Sequence, residues 1–383
     1  EMINSVNQVL INGKVNYWTG EEGRNFEKEF AKWIGSKYAL TMANGSLALS
    51  SIYKSIGLGE NDEIITTPRT FIATATEALN LGAKIIFADI DINSGNITPE
   101  TIEPLINRNT KAISVVHIAG WPADMEGICF IAKKYNLIVI EDCSQAHGAT
   151  IRSNGLEKSV GTFGDIAAWS FCQDKIISTG GEGGMVTTDR KDLWEIIWSL
   201  RDHGKNRKEK LKQNSSNSFK WLHDNVGTNY RMTELQSSIG RIQLKRMKEW
   251  NKIRNFNAEF IYKRISVLNL VRVPLPNLLV NHAWYKFYCY LNKEFLKPEW
   301  DRKRIIKEIS LLGFPCFEGS CSEIYREKVF LSNTNKYNTL TNAEKLGNTS
   351  LMFLIHPTIT VDQITKYSDA IYKVLLEASR ESG

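Results

Sequence analysis

The sequence predicts an α/β protein built on a mainly parallel sheet, with a second, smaller α/β region toward the C-terminus. Three observations carry this. Short apolar, β-rich runs alternate with helix-patterned stretches over the first two-thirds of the chain. Acidic, glycine and lysine residues fall just past the ends of several runs. A long helical stretch followed by "LVRVPLP" then separates this alternation from the remainder. Strands that alternate with helices form a sheet covered on both faces, and such sheets bind ligands outside the carboxyl ends of their strands.

Taken in order, "GRNFEKEFAKWIG" places Phe26, Phe30, Trp33 and Ile34 at helical spacing. "YALTM", "EIITT", "KIIFADI", "KAISVVHI" and "LIVIED" are strand runs, and "LALSSIYKSI" and "DMEGICFIAKKY" are helices among them. "AAWSF" and "GMVTTD" add two strands. Residues 204–228 are polar and charged and predict a mobile surface loop. A helix follows from about Met232 to Ile265, and a boundary falls near residues 270–276. Beyond it lie a strand-rich run, "AWYKFYCYL", a helix in "DRKRIIKEISLLG", an irregular stretch, and a final helix near "VDQITKYSDAIYKVLLE". There is no internal repeat.

The composition narrows the function classes. Of 383 residues, 42% are hydrophobic and 23% charged, which suits one large domain plus a smaller one. The net charge of +6 is spread thinly. It gives no argument for a nucleic-acid partner and suits small anionic ligands. Six cysteines show no C-x-x-C pair, so they read as reduced thiols and the expected compartment is the cytoplasm. No apolar run approaches the roughly 18 residues of a membrane span, so no membrane partner is expected. The chain begins at Glu1 without an initiator methionine, which leaves a trimmed N-terminus open.

Candidate chemistry clusters at the predicted strand ends. Asn44-Gly45-Ser46 follows one strand and opens a helix, where free N–H groups favour phosphate; the same residues also describe an ordinary turn and helix cap. No G-x-G-x-x-G follows this strand and no G-x-x-x-x-G-K-[ST] occurs, so a nicotinamide oxidoreductase and a P-loop enzyme lack their fingerprints. "LIVIEDCSQAHG" ends a strand with Glu141 and Asp142, placed either to pair with a cation or to cap a helix. His147 has no second histidine or cysteine at metal-ligand spacing and reads as a hydrogen-bonded structural residue; no metal is expected. Lys175 lies five residues after Ser170 and just before "TGGEGG". A lysine at a buried sheet end can lose its proton and attack an aldehyde, with glycines clearing space beside it; a surface lysine next to a turn is the plainer alternative.

In their joint order, "NGS", "TF", "EDCSQAHG", "SFCQDK…GGEGGMV" and "GTNYRMTELQ" resemble the DegT/DnrJ/EryC1/StrS family of sugar aminotransferases. The resemblance runs from about residue 12 to the C-terminal helix and is strongest over residues 40–240. It implies the type I fold of pyridoxal 5′-phosphate-dependent transferases. That fold has a large domain with a mainly parallel, seven-stranded-type sheet (residues 1–265) and a small C-terminal α/β domain (residues 266–383). It implies pyridoxal 5′-phosphate as an internal aldimine on Lys175, with Asp142 paired to the pyridine nitrogen. Gln145 falls beside the phenolic oxygen, Phe71 on the ring, and Gly45, Ser46 and Ser170 on the phosphate. Asn229 matches a phosphate contact from a neighbouring subunit, so a homodimer with shared active sites is implied.

The implied reaction moves an amino group from an amino acid, L-glutamate by expectation, to a nucleotide-linked keto-deoxysugar for a surface polysaccharide or similar glycan. A branch of the family has histidine in place of the lysine and dehydrates sugars; Lys175 favours transamination here. A non-catalytic binding protein on this fold would tolerate loss of that lysine. The chain departs from the family's "HYP-P-H" segment and reads "GFPCFEGSCSEIYREKVF" instead, which puts the acceptor in question and keeps a small phosphorylated ketone such as dihydroxyacetone phosphate as the alternative. Candidate acceptor residues are Tyr325 and Arg326 in that segment, and Tyr17 and Trp18 in "GKVNYWTG".

Overall fold

The apolar runs become strands β1 (Tyr38–Met42), β2 (Glu63–Thr66), β3 (Lys84–Phe87), β4 (Thr110–Val116) and β5 (Ile138–Asp142). A hairpin of β6 (Thr150–Ser153) and β7 (Leu156–Ser159) follows, and then β8 (Ile166–Ser170) and β9 (Gly184–Thr188). The computed structural model describes residues 1–212, 221–331 and 338–380. The large sheet has seven strands in the order β1-β9-β8-β5-β4-β2-β3. Strands β3, β2, β4, β5 and β8 pair in parallel, whereas β9 runs antiparallel to both β8 and β1. Every residue of β8 and β9 is buried, as expected for strands covered on both faces.

The reversal at β9 positions the lysine. Parallel neighbours need a long crossover, but antiparallel neighbours can be joined by a loop alone. Ser170 ends β8 directly opposite Gly184, which begins β9. The segment between them, with Lys175 in it, therefore stands at the carboxyl end of the sheet. Ile176 and Ile177, 3% and 0% exposed, drive the segment's far side into a core that also holds Phe26, Phe30, Trp169 and Phe171. Burial of each such side chain stabilises by about 1.5–3 kcal/mol.

Helix Glu234–Ile265 opens with a capping box between Thr233 and Gln236. Beyond it, β10 (Val271–Arg272), β11 (Val280–Asn281), β12 (Phe287–Leu291), β13 (Cys316–Phe317) and β14 (Ser350–Phe353) complete the strands. A four-stranded sheet of order β10-β12-β14-β13 packs on helices Arg302–Leu311 and Val361–Ala378 through Ile305, Ile309, Ile371 and Leu375. Strand β11 pairs with β6.

Three features differ from the sequence reading. The β6–β7 hairpin is mostly polar and gives no apolar run, yet Asn154 (φ 50°) and Gly155 (φ 79°) form its two-residue turn. Helix Met2–Ile11 was not anticipated; only Val9 in it is buried. Helix Arg207–Lys212 lies inside the expected 204–228 loop, of which residues 213–220 fall outside the described residues. Among the described residues no helix is long and apolar enough to cross a membrane.

Candidate active site

A cavity of about 400 Å³ opens at the carboxyl ends of β5 and β8. Gly45, Ser46, Phe71, Asp142, Gln145, Ser170 and Lys175, drawn from four separate stretches of the chain, all line it. A second cavity of about 690 Å³ shares Thr70, Phe71, Gln145, Asp174 and Lys175 with the first. Its outer wall comes from the C-terminal part of the chain and includes Tyr285, Lys286, Phe317 and Ser320.

One end of the first cavity is a set of hydrogen-bond donors. Asn44 caps helix Gly45–Ser55, its Oδ1 accepting from Leu47 N–H at 2.9 Å. The amides of Gly45 and Ser46 begin the helix, with no carbonyl one turn earlier to bond. The hydroxyls of Ser46 and Ser170 stand beside them. Gly45 must be glycine here: a Cβ on it would lie 2.7 Å from Ser170 Cβ. Helix start and strand end therefore meet at backbone distance.

Asp142 forms the floor. It is 4% exposed, its Oδ2 accepts from Thr74 Oγ1 at 2.8 Å, and its Oδ1 accepts from Ser144 N–H at 3.1 Å. Thr74 spends its only proton on Asp142, so the 3.0 Å contact between Thr70 and Thr74 is donated by Thr70. The neighbouring Glu141 faces the other side of β5. It accepts from Gly161, Phe163 and Gly164 N–H at 2.7, 2.8 and 2.7 Å and lies 3.0 Å from His117 Nε2. His117 Nδ1 accepts from Ala123 N–H, so Nε2 donates to Glu141. Burial alone would raise the Glu141 carboxyl, but His117 and the backbone amides outweigh it and hold it below the usual value. With its lone pairs spent on this loop, Glu141 acts as an architectural group. Ligand atoms of His117, Glu141 and Cys143 lie within 4.8 Å of one another, but both His117 nitrogens and the Glu141 oxygens are already hydrogen-bonded.

Gln145 Oε1 accepts from Ala119 N–H at 2.7 Å, which leaves the amide nitrogen as the end free to donate into the cavity. Phe71 is 68% exposed at the boundary of the two cavities, an unusual place for a large aromatic ring without a ligand.

Lys175 Nζ lies 3.4 Å from the Tyr285 hydroxyl and 3.4 Å from Asp174 Oδ1. The Tyr285 hydroxyl donates to Asp174 Oδ2. Burial, and then the bond to Asp174, pushes the Tyr285 phenol well above its ordinary range. Burial would raise Asp174, but Tyr285, Lys175 and Lys286 hold its carboxyl low. Neither Tyr285 nor Asp174 was singled out from the sequence. Asp174 stands next to the lysine in "SFCQDK", a usable signal, whereas Tyr285 sits more than a hundred positions away in a run that reads only as a strand.

Other expected residues lie elsewhere. Asn229 is exposed, accepts from Arg231 N–H at 3.2 Å and lines neither cavity. Tyr325 is 3% exposed, packs on Phe87 and donates to Glu323 and it lines neither cavity. Its position in a 3-10 turn sends the ring into the large-sheet core. Arg326 is exposed and pairs with Glu323 at 3.0 Å and Glu344 at 3.3 Å. Tyr17 is 5% exposed, donates to Glu27 and lies under Arg201; burial pushes its phenol up to about 12. Trp18 joins it at a separate cavity lined also by Tyr38, Trp194 and Arg207. His147 differs from its expected hydrogen-bonded state: it is buried against Trp169 and Phe171, and neither ring nitrogen has a partner among the described residues. Burial, with Lys175 and Arg254 nearby, lowers its pKa to about 3. The glycines after Lys175 also act differently from the reading above. Gly180 and Gly181 turn the chain at positive φ, and Gly184 packs against the Asn44 carbonyl; none lines the cavity.

The donor cradle, buried carboxylate, amide donor, exposed aromatic ring and lysine fit a phosphorylated pyridinium aldehyde in charge and in hydrogen-bonding type. The fold, with its one antiparallel strand and lysine loop at the sheet's carboxyl edge, is that of the pyridoxal-phosphate-dependent transferases of type I. The family model described as the DegT/DnrJ/EryC1/StrS aminotransferase family matches residues 1–372, and the chain belongs to that family. It is a pyridoxal-phosphate-dependent aminotransferase.

It is 38% identical over 287 residues to a dTDP-3-amino-3,6-dideoxy-alpha-D-galactopyranose transaminase of Aneurinibacillus thermoaerophilus, covering 75% of this chain and 74% of that protein. Among solved structures, an aminotransferase from Psychrobacter cryohalolentis is 48% identical with a TM-score of 0.95, over 98% of this chain and 97% of that one. A Bacillus subtilis protein with bound cofactor PMP is 25% identical with a TM-score of 0.84, over 98% of this chain and 81% of that one.

Proposed function

We propose that this enzyme transfers an amino group from L-glutamate to the keto carbon of a nucleotide-linked keto-deoxysugar, for synthesis of a surface polysaccharide or similar glycan. The observation that carries this reading is the pair of adjoining cavities with Lys175 on their shared wall. The first suits a cofactor. The second, at about 690 Å³, has room for a ligand much larger than a triose phosphate. The dTDP-sugar acted on by the Aneurinibacillus relative is of that size class.

The residues divide the work. The amides of Gly45 and Ser46, with the Ser46 and Ser170 hydroxyls, bind the cofactor's phosphate. Phe71 would pack on the ring and the Gln145 amide would donate to the phenolic oxygen. When bound, the cofactor supplies a protonated ring that withdraws electrons from the substrate carbon. Asp142 would hold that ring proton, since an ionised carboxylate beside the nitrogen would raise its pKa, and Thr74 and Ser144 keep the carboxylate aimed. Lys175, as a free amine, would move the proton at the donor's α-carbon and, in the second half-reaction, return one to the acceptor's carbon. Asp174 and Tyr285 orient its Nζ between turnovers. Asn229, exposed and away from its own chain's cavity, reaches the phosphate site of a second subunit in a homodimer.

The test is a screen of keto-sugar nucleotides and small keto-phosphates with glutamate as donor, read by product mass. Amination of a nucleotide sugar is expected. Efficient turnover of a free keto-phosphate alone, uninhibited by added nucleotide, would replace this acceptor class with the smaller one. For the dimer, mixing Lys175→Ala and Asn229→Ala subunits should restore activity through hybrid sites; a monomer in sedimentation would remove shared sites.

A further inference from the structure

A small cavity of about 20 Å³ adjoins the acceptor cavity and shares Lys286 and Tyr288 with it. Arg69, His282, Asn93 and Ser94 also line it, and no carboxylate does. Arg69 is 1% exposed. Its Nη1 donates to Ser322 Oγ at 3.1 Å, its guanidinium lies 5.0 Å from the Tyr288 ring and 5.6 Å from the Tyr290 ring, and its Nε has no partner. It enters no ion pair among the described residues. Lys286 is part-buried, with its ammonium 4.7 Å from the Tyr285 ring; it makes no direct ion pair among the described residues, and Asp174 acts on it only at longer range. Burial lowers its pKa; the Asp174 carboxylate opposes this, and the charges of Arg254 and Lys175 add to it. His282 Nδ1 accepts from Trp284 N–H at 2.7 Å, so its remaining N–H is on Nε2.

A buried guanidinium without a counter-ion is costly, and aromatic faces offset that cost without neutralising the charge. Arg69 without a counter-ion, beside Lys286 on a cavity that no carboxylate lines, leaves a site that a bound anion relieves. We infer that this cavity, with Arg69 and Lys286, is an anion subsite that receives a carboxylate of the amino-acid donor. The inference rests on the transamination reading above. The cavity admits about one water-sized group, which matches a terminal carboxylate entering from the larger cavity and excludes a diphosphate. The planar guanidinium fork suits a carboxylate. Arg69 also lies two residues before Phe71, so the segment that lines the cofactor cavity fixes the subsite relative to the reacting carbon.

The test uses glutarate, a dicarboxylate without an amino group, and methylenediphosphonate, titrated calorimetrically into the cofactor-loaded enzyme and into Arg69→Lys and Lys286→Gln. Each variant should weaken glutarate binding by about tenfold or more, since a charge-assisted hydrogen bond is lost or misaligned. In the glutamate half-reaction, followed by cofactor absorbance, the same variants should raise the concentration for half-maximal rate and leave the limiting rate within about twofold. Arg69→Lys keeps the charge, and Lys286 is only part-buried, so both are expected to fold. Equal glutarate binding in wild type and variants would overturn the subsite. So would binding of methylenediphosphonate but not glutarate, because the cations would then serve the acceptor's phosphates. If wild-type enzyme shows no glutamate half-reaction, glutamate is not the donor and that part of the proposed function fails, whereas glutarate binding still reports on the subsite itself.

Discussion

Asp142 and Ser170 end buried parallel strands, and Gly45 begins a helix one residue after the Asn44 cap. On the facing wall of the larger cavity, Phe317, Gly319 and Ser320 sit on a two-residue strand and the loop after it, and Ser320 is fixed chiefly by the Tyr288 hydroxyl at 2.9 Å. Sheet ends on the inner side inherit their positions from backbone ladders and a buried core. The outer wall depends on a few side-chain contacts between segments distant in sequence. The rigid side suits a cofactor that never changes, and the loosely specified side suits an acceptor that differs among relatives.

This contrast predicts a graded set of losses. Lys175→Ala should reduce turnover by about 10³-fold or more, because both covalent attachment and proton transfer go. Borohydride should then fix no cofactor to the peptide, although the phosphate site still binds it. Retained turnover would remove the lysine from the chemistry. Asp142→Asn keeps shape and loses charge; turnover should fall by about two orders of magnitude, measured as kcat with saturating donor and acceptor.

Glu141→Gln tests the architecture beneath the rigid side. The loss should appear as stability, about 2–4 kcal/mol by urea unfolding, since a buried and fully bonded carboxylate is replaced. The sign with pH follows from its depressed folded-state value. The contribution is full above the unfolded carboxyl value of about 4.3 and is lost as pH falls through the folded one. The gap between wild type and Glu141→Gln should therefore narrow in acid; a gap constant down to acid unfolding would contradict the assignment. Arg326→Ala, at the loose side, is the smallest effect: exposed ion pairs contribute about 0–1 kcal/mol. An acceptor KM raised severalfold in that variant would place the guanidinium on the substrate after all.

The same contrast explains what could be read from sequence. Strands β1 to β5, β8 and β9 were legible because both-sided burial leaves continuous apolar runs, and the residues just past them were legible as a site because parallel sheets bind there. Glycines were legible as special, but not whether they serve turns, close packing or a ligand. The β6–β7 hairpin has almost no apolar signal; its Asn154-Gly155 turn was the only mark. Tyr285 reaches the lysine through tertiary packing of the residues before β12 on the Ala119 backbone, a contact with no local pattern. The direction of Tyr325 was equally hidden, because a 3-10 turn in polar surroundings does not announce which side chain faces inward.

Glu141 and Asp142 occupy consecutive positions of β5, one gripping the loop at residues 161–164 and the other forming the cavity floor. A pleated strand alternates its faces with a period of two, so any change of length within β5 would hand each carboxylate the other's side. The strand behaves like a reading frame. Apolar residues along it can change without exchanging the two sides, but an insertion or deletion near these carboxylates has to fall outside β5.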